Sequence, residues 1–366
     1  MRIECVREKF AAAVQKAERV TGKNLTLPVL KCLYLKAERG NLLIRATNLD
    51  LGIEINLPVK VEIPGSVAIP GAVLSSFLQQ VRNDKNIILE TIDGNLSVST
   101  QNNSTLIKAL PHDDFPTVPV FMKENSLTLA PKEFVRGLKA VWYASGTSQV
   151  KPELSSVYVF ADQDELVFVA TDSFRLAEKR VRVKKAQDFS HVLIPFKNVT
   201  EIMRILEEID EDVEISFDKN QIAFSSSNVY LTSRLIDGSF PDYKQIIPKE
   251  HKTEATLLKE DLVNSLKMAH IFSDKFNQVS LSVTPSKKAF EMKTKNAEVG
   301  ENVNKLKANL TGEDIDMNFN HKYVTDCFQS IDSDSITLHF NGPSRPVVLR
   351  GVSDKTFLYL VMPMNR

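Results

Sequence analysis

Carboxylates and imidazoles are where chemistry would show first, because paired acids move protons or hold hard cations and histidines ligate transition metals. The acidic clusters are Asp113-Asp114, the run Glu207-Glu208-Ile209-Asp210-Glu211-Asp212, and Asp332 with Asp334. All three read as polar turns and helix ends. A metal-dependent hydrolase would need several of these carboxylates to converge in one cleft. The histidines, at positions 112, 191, 251, 270, 321 and 339, are scattered, and none has a cysteine or second histidine at ligand spacing. The chain also lacks Gly-x-x-x-x-Gly-Lys-Ser/Thr, Gly-x-Gly-x-x-Gly, Gly-x-Ser-x-Gly and His-Glu-x-x-His. No catalytic residue, metal or cofactor is expected.

The cysteines, Cys5, Cys32 and Cys327, are odd in number and far apart, with no Cys-x-x-Cys pair, which fits a reducing cytoplasm better than a disulfide framework. The first residues are charged throughout, unlike a signal peptide, and no window approaches the ~18 apolar residues of a membrane span. Forty-six basic and 46 acidic side chains cancel, which excludes binding nucleic acid or membrane by bulk charge and leaves only local placement. Two segments offer it: Arg7, Lys9, Lys16 and Arg19 against Glu8 and Glu18, and Lys132, Arg136 and Lys139 against Glu133. Phosphate contact and a solvated helix face explain these equally well.

The elements that would carry such groups repeat. With 366 residues, 43% hydrophobic and 25% charged, the chain has the length of two or three globular domains. Residues 2–17, 126–141 and 254–269 share a short alternating strand followed by an amphipathic helix: Ile3, Leu127 and Ala255 correspond, then Cys5, Leu129 and Leu257, then Phe10, Phe134 and Leu262, then Val14, Leu138 and Leu266, then Ala17, Val141 and Ala269. The last three sets fall at i, i+4 and i+7, one helix face. A second helix opens at Ile69-Pro70, Ile194-Pro195 and Phe319-Asn320, each 125 residues on, the first two with proline placed early, where its missing N–H costs nothing. Ala46-Thr47-Asn48 answers Ala170-Thr171-Asp172, and Phe115-Pro116 answers Phe240-Pro241.

Between the helices, apolar and polar residues alternate, as in Ile53 to Leu57 and Ile336 to Phe340, broken by Arg39-Gly40, Asp93-Gly94 and Asn341-Gly342. Antiparallel strands with one buried face are expected. The fold class is α+β: three similar domains, each two helices packed on antiparallel sheets, over residues 1–124, 125–250 and 251–366, with proline-containing stretches as connectors. Units of this size suit domains set along an arc.

The stretches from Ala170 to Ala177 (Ala-Thr-Asp-Ser-Phe-Arg-Leu-Ala) and from Asp237 to Tyr243 (Asp-Gly-Ser-Phe-Pro-Asp-Tyr), with Val361-Met362-Pro363-Met364, resemble the bacterial DNA polymerase III beta subunits, the sliding-clamp family. Thr26-Leu27-Pro28 and Asp114-Phe115-Pro116 fit too, so the likeness spans the chain. It implies a non-catalytic, cytoplasmic, head-to-tail homodimeric ring around double-stranded DNA, each chain half of it, with helices lining the hole. Thr105 and Ile107 of one chain would meet Ile271 and Phe272 of the other, whereas residues alone also allow Ile271 and Phe272 as core. Lys23 and Lys197 fall where the family approaches DNA, joined on the inner helices by Arg136 and Lys139, although Asn24 stands where an arginine is common.

The resemblance also implies a groove for short peptides of the DNA polymerase III catalytic subunit, the clamp loader, repair polymerases and mismatch-repair proteins. Its matching positions are Leu154, Thr171, Ser173, Phe174, Arg175, Leu176, Pro241, Ile246, Asn320, Tyr323, Val361, Met362, Pro363 and Met364. Leu, Ile, Val and Met suit an adaptable apolar pocket, and Arg175 with Asn320 suits a peptide backbone. Ser173 replaces a customary glycine, Gln245 a frequent arginine, and the chain ends Asn365-Arg366, so motif preference is expected to shift. A peptide-binding scaffold that never encircles DNA is the competing expectation.

Overall fold

The computed structural model describes residues 1–22, 27–81, 84–120, 126–148 and 150–364. Lys23, Asn24, Thr26, Asn365 and Arg366 lie outside them. The described residues form six α-helices and 26 strands. The helices are α1 (Arg7–Glu18), α2 (Gly71–Gln80), α3 (Pro131–Val141), α4 (Phe196–Leu206), α5 (Lys259–Ile271) and α6 (His321–Asp326). Each follows a strand, in order Arg2–Val6, Gly65–Pro70, Ser126–Leu129, His191–Pro195, Thr253–Leu258 and Ile315–Asn320. Two strand–helix pairs thus recur three times, once in each of three similar domains, as the spacing predicts. The prolines end strands: Pro70 is the N-cap of α2, and Pro195 closes the strand before α4.

The buried faces follow the i, i+4, i+7 rows. Phe10, Val14 and Ala17 of α1 are fully buried, as are Phe134, Leu138 and Val141 of α3. Leu262, Leu266 and Ala269 of α5 are at most 2% exposed. Each large apolar side chain so buried contributes about 1.5–3 kcal/mol of transfer free energy, which holds helices this short in place.

The chain divides into two compact units, Met1–Lys132 with Thr200–Leu235, and Glu133–Val199 with Ile236–Arg366. The first holds a five-stranded sheet, in spatial order Lys60–Ile63, Arg2–Val6, Asn86–Ile92, Asn95–Ser99 and Ser104–Ile107. Its eight-stranded sheet runs Ser126–Leu129, Val213–Phe217, Gln221–Ser225, Val229–Arg234, Leu51–Pro58, Asn41–Thr47, Cys32–Glu38 and Gly65–Pro70. There a strand of the central repeat joins one of the first, with Leu231 opposite Ile53.

The second unit holds a four-stranded sheet and a nine-stranded one. The latter runs His191–Pro195, Ser156–Asp162, Glu165–Thr171, Arg175–Arg182, Phe357–Val361, Val347–Gly351, Ser335–Phe340, Thr253–Leu258 and Ala308–Gly312. Here the central repeat meets the last, with Ala177 opposite Tyr359. The compact units therefore cut across the repeat, because backbone hydrogen bonds in shared sheets tie each half of the central repeat to a different neighbour.

Two glycines explain local geometry. Asp93 and Gly94 have φ of 47° and 77°, the paired left-handed values that a two-residue hairpin needs to match strand twist. Gly137 in α3 is packed so closely that a Cβ there would lie 2.3 Å from Cε2 of Phe168, which in turn meets Phe134 edge-on at 5.2 Å between ring centroids.

Candidate functional site

The second compact unit gathers most of the side chains singled out in the sequence. Its central feature is the turn between the strands Glu165–Thr171 and Arg175–Arg182. The Thr171 hydroxyl donates to the Arg175 carbonyl at 2.7 Å and accepts the Ser173 N–H at 3.2 Å. Oδ1 of Asp172 accepts the N–H groups of Phe174 and Arg175 at 2.9 and 3.0 Å. Such short polar side chains close a turn by standing in for backbone partners. Ser173 consequently sits at φ 77°, left-handed, and Phe174 projects outward, 59% exposed.

Arg175 is held from several sides. Its Nε donates to Asp172 Oδ2 at 3.0 Å, Nη1 pairs with Asp326 at the end of α6, and the guanidinium lies 4.7 Å above the Tyr323 ring. Burial alone would lower its pKa, but Tyr359, Asp172 and Asp326 outweigh that and raise it. The cation is permanent, and its fork is pre-aligned for a carboxylate or carbonyl. Phe174 stacks on Tyr323 at 6.2 Å and 18°. Asn320 caps α6 by accepting the Lys322 N–H at 3.0 Å.

Beside this arginine lies an open cavity of about 640 Å³, lined by Leu154, Ser173, Phe174, Arg175 and Tyr323 together with Ser145, Gly146, Thr147, Ser148, Val150, Lys151, Ser155 and Asp172. That size takes an apolar side chain or two of a peptide. Next to Arg175 runs the chain's last strand: Val361 stands opposite Arg175, and the Met362 N–H donates to the Phe174 carbonyl at 2.8 Å. Leu176 is fully buried in a cluster with Val167, Tyr243 and Leu360, against which Met362, Phe240 and Ile247 pack. The Tyr243 hydroxyl donates to Glu178 at 2.6 Å; burial, then that bond, raises its pKa.

The predicted groove residues thus fall into distinct sets. Leu154, Ser173, Phe174, Arg175 and Tyr323 share the cavity. Thr171, Leu176 and Val361 are buried supports, while Pro241 and Ile246 are exposed and Met362, Pro363 and Met364 half-buried. Sequence reading missed the wall made by Ser145, Gly146, Thr147, Ser148, Val150 and Lys151, for which the small, polar Gly146-Thr147-Ser148 run was the available signal. It also missed Asp326, which reaches Arg175 across 151 residues of sequence.

The basic candidates stand apart. Lys132, Arg136 and Lys139 are all exposed along one face of α3, with Arg136 bonded to Glu133 at 3.1 Å, and Lys197 is exposed on α4. On α1 and its C-cap, Lys16 and Arg19 share Glu208 at 3.6 and 2.7 Å and Arg7 meets Glu8 at 3.3 Å, so three of that segment's four basic side chains already have a carboxylate partner. Thr105 and Ile107 lie on the edge strand Ser104–Ile107. Ile107 is itself only 4% exposed, and the apolar residue turned outward there is Leu106, 51% exposed. Ile271 ends α5 with 63% exposure, and Phe272, its C-cap, is half-buried.

Comparison with known proteins finds family models over nearly the whole chain: the DNA polymerase III beta subunit N-terminal domain over residues 1–119, the central domain over 128–242 and the C-terminal domain over 244–365. Curated relatives include the beta sliding clamps of Synechococcus elongatus, 26% identical over 100% of this chain and 99% of that protein, and of Bacillus subtilis, 26% identical over 100% of both. Among solved structures, the Bacillus subtilis DNA polymerase sliding clamp matches with a TM-score of 0.94 and 25% identity, over 100% of this chain and 99% of that one. The Bartonella birtlesii sliding clamp bound to griselimycin matches at 0.94 and 26%, over 100% of both.

Proposed function

Because the chain belongs to the DNA polymerase III beta subunit family, it is a non-catalytic sliding clamp of DNA replication, and we propose that two copies close head to tail into a ring around duplex DNA. Its domains would be residues 1–124, 125–250 and 251–366, and its setting the cytoplasm. Retention would come from topological linkage. Zero net charge suits this, since each phosphate neutralised deepens affinity and salt dependence, and deep wells would stop sliding. The exposed Lys132, Arg136 and Lys139 row and Lys197 would supply loose attraction. In the first domain, Ser104–Ile107 is a sheet edge open to pairing, as ring closure requires.

The groove around Arg175 would dock peptides of the polymerase catalytic subunit, the clamp loader, repair polymerases and mismatch-repair proteins. One observation carries this reading: Arg175, at the start of a sheet strand and stacked on Tyr323 of α6, is held rigidly beside an open cavity and the exposed aromatic Phe174 of the hydrogen-bonded turn. Such a site binds an apolar anchor and orients a polar backbone. A peptide's anchor would enter between Leu154 and Tyr323, while Arg175 takes a carbonyl or carboxylate and Met362 adapts alongside.

The decisive experiment follows the protein on circular and then linearised DNA. Clamp loaded on a nicked circle should stay through gel filtration and leave once the circle is cut at one site. Equal loss before and after cutting would favour a peptide-binding scaffold that does not encircle DNA. Separately, truncation after Val361 should abolish binding of a polymerase-derived peptide while sedimentation still gives a dimer; unchanged peptide affinity would move the site elsewhere.

A further inference from the structure

We propose that His251, Glu254 and His339 bind one divalent transition-metal ion of the zinc class. The three are far apart in sequence except for the His251–Glu254 step, and sheet register brings them together. Glu254 and His339 stand directly opposite on the paired strands Thr253–Leu258 and Ser335–Phe340. The Lys252 N–H donates to the Phe340 carbonyl at 2.9 Å, which extends the pairing by one step and sets the His251 ring over His339, centroids 4.3 Å apart and planes within 18°.

The distances suit a metal better than a direct contact. Nε2 of His251 and Nε2 of His339 each lie 3.3 Å from the same oxygen, Oε2 of Glu254, and the three ligand atoms fall within 4.8 Å of one another. A strong bond from an imidazolium to a carboxylate is shorter, about 2.7–2.9 Å. A tetrahedral zinc with bonds of about 2.0–2.1 Å separates its ligand atoms by about 3.3–3.4 Å, so the two nitrogen-to-oxygen spacings match two edges of that tetrahedron, and the exposed His251 ring must turn out of its stack on His339 for both imidazole lone pairs to face one ion. The remaining carboxylate oxygen, Oε1, accepts the Thr256 hydroxyl at 3.4 Å, an outer contact that aims the carboxylate.

Two imidazoles and one carboxylate select zinc, nickel or copper over magnesium or calcium. Because His251 is exposed, a fourth position on the ion would be open to water or to a donor from another molecule. The opposing charge is Arg350, on the neighbouring strand opposite Thr337 and close enough for His339 to feel it, so the site is expected to be weaker than a closed structural zinc. A bound ion would cross-link the start of the domain to an interior strand.

The test is zinc uptake by untagged full-length protein, read by competition with a chromophoric chelator. Wild type should take up one zinc per chain, excess magnesium should not displace it, and His251→Ala, Glu254→Gln and His339→Ala should each weaken it at least ~10-fold, about 1.4 kcal/mol. His270→Ala, which alters the other histidine pair, should leave uptake unchanged. Since His251 is exposed, His251→Ala keeps the fold and the result readable. No stoichiometric uptake by wild type at about 100 µM zinc, displacement by magnesium, or undiminished uptake by His251→Ala would overturn the site.

Discussion

Thr171 and Thr47 tie their turns with the same two hydrogen bonds. Thr47 donates to the Leu51 carbonyl at 2.7 Å and accepts the Leu49 N–H at 3.0 Å, as Thr171 does toward Arg175 and Ser173 at 2.7 and 3.2 Å. Asn48 takes two backbone N–H groups just as Asp172 does, and Leu49 and Ser173 are both left-handed, at φ 74° and 77°. The first turn then continues into Leu51, 2% exposed, and the second into Arg175. One turn design therefore serves twice, leading into a buried strand in the first domain and bordering the Arg175 cavity in the second. The left-handed position is dictated by the Thr and Asx bonds, which the two turns share.

From this, Ser173→Gly is expected to stabilise the protein by roughly 0.5–1 kcal/mol. A left-handed L-residue costs about 1–2 kcal/mol, and glycine's greater unfolded-state freedom offsets some of the relief. Chemical denaturation should show a small rise in midpoint, and Ser173→Val a fall, because a β-branched side chain tolerates that region worst. Equal midpoints for both variants would mean that the turn is unstrained.

Arg175→Ala should cost stability as well as binding. The side chain is 12% exposed, and its loss leaves Asp172, 15% exposed, without its cation. Removing one partner of such a buried pair destabilises by about 3–5 kcal/mol at most, less here because Asp326 is 40% exposed. Arg175→Lys should recover some of the stability but little peptide affinity, since an ammonium cannot reach both carboxylates and a ligand in one plane. Peptide titration alongside melting separates the two effects.

Gly137→Ala inverts the usual rule for helices. Alanine would gain about 1 kcal/mol of helix propensity, but its Cβ would sit 2.3 Å from the ring of fully buried Phe168. Forced overpacking costs about 1–3 kcal/mol, so a net loss is expected, and Gly137→Ala combined with Phe168→Leu should recover some of it. A gain in the single variant would show that α3 can lift off the sheet without penalty.

What the sequence made legible was whatever repeats or is local. The buried rows of α1, α3 and α5, the strand–helix pairs and the Thr47 and Thr171 turns all depend on residues within a few positions of one another. Asp326 meeting Arg175, and His339 meeting His251 and Glu254, depend on strand register and on a helix end brought in from elsewhere, which no spacing along the chain encodes. Ile107 shows a further limit. Its match to a family position marks it as interface, yet alternation in its strand turns it inward and Leu106 outward, a distinction of one residue that a pattern of apolar positions blurs.

His321 should make stability fall in acid. It is 4% exposed, with Nε2 3.2 Å from Nδ1 of His270. Burial, then the charges of His270 and Lys322, lowers its pKa from 6.5 to about 4. The unfolded chain therefore binds a proton that the folded chain refuses between those values. The stabilisation is present above pH 6.5 and drains away down to about pH 4, reaching roughly 2 kcal/mol lost by pH 5. Replacing the imidazole in His321→Gln should flatten the pH 5–7 stability profile; an unchanged slope would assign the acid sensitivity to carboxylates.

The ring itself is best tested at Ile271. Charge at Ile107 would enter the core of the first domain, where the side chain is 4% exposed, and loss of the dimer would then be inseparable from unfolding. Ile271 is 63% exposed at the end of α5, so Ile271→Glu should leave the single chain's melting almost unchanged, within the ~0.5 kcal/mol typical of surface substitutions. In a proposed interface the same carboxylate would be desolvated without a partner, a cost large enough to separate the chains. Sedimentation should therefore give monomers for Ile271→Glu and for Leu106→Glu, with the folded signal retained. Dimers persisting in both variants would place the contact away from the Ser104–Ile107 edge and the end of α5, and the proposed head-to-tail closure would not stand.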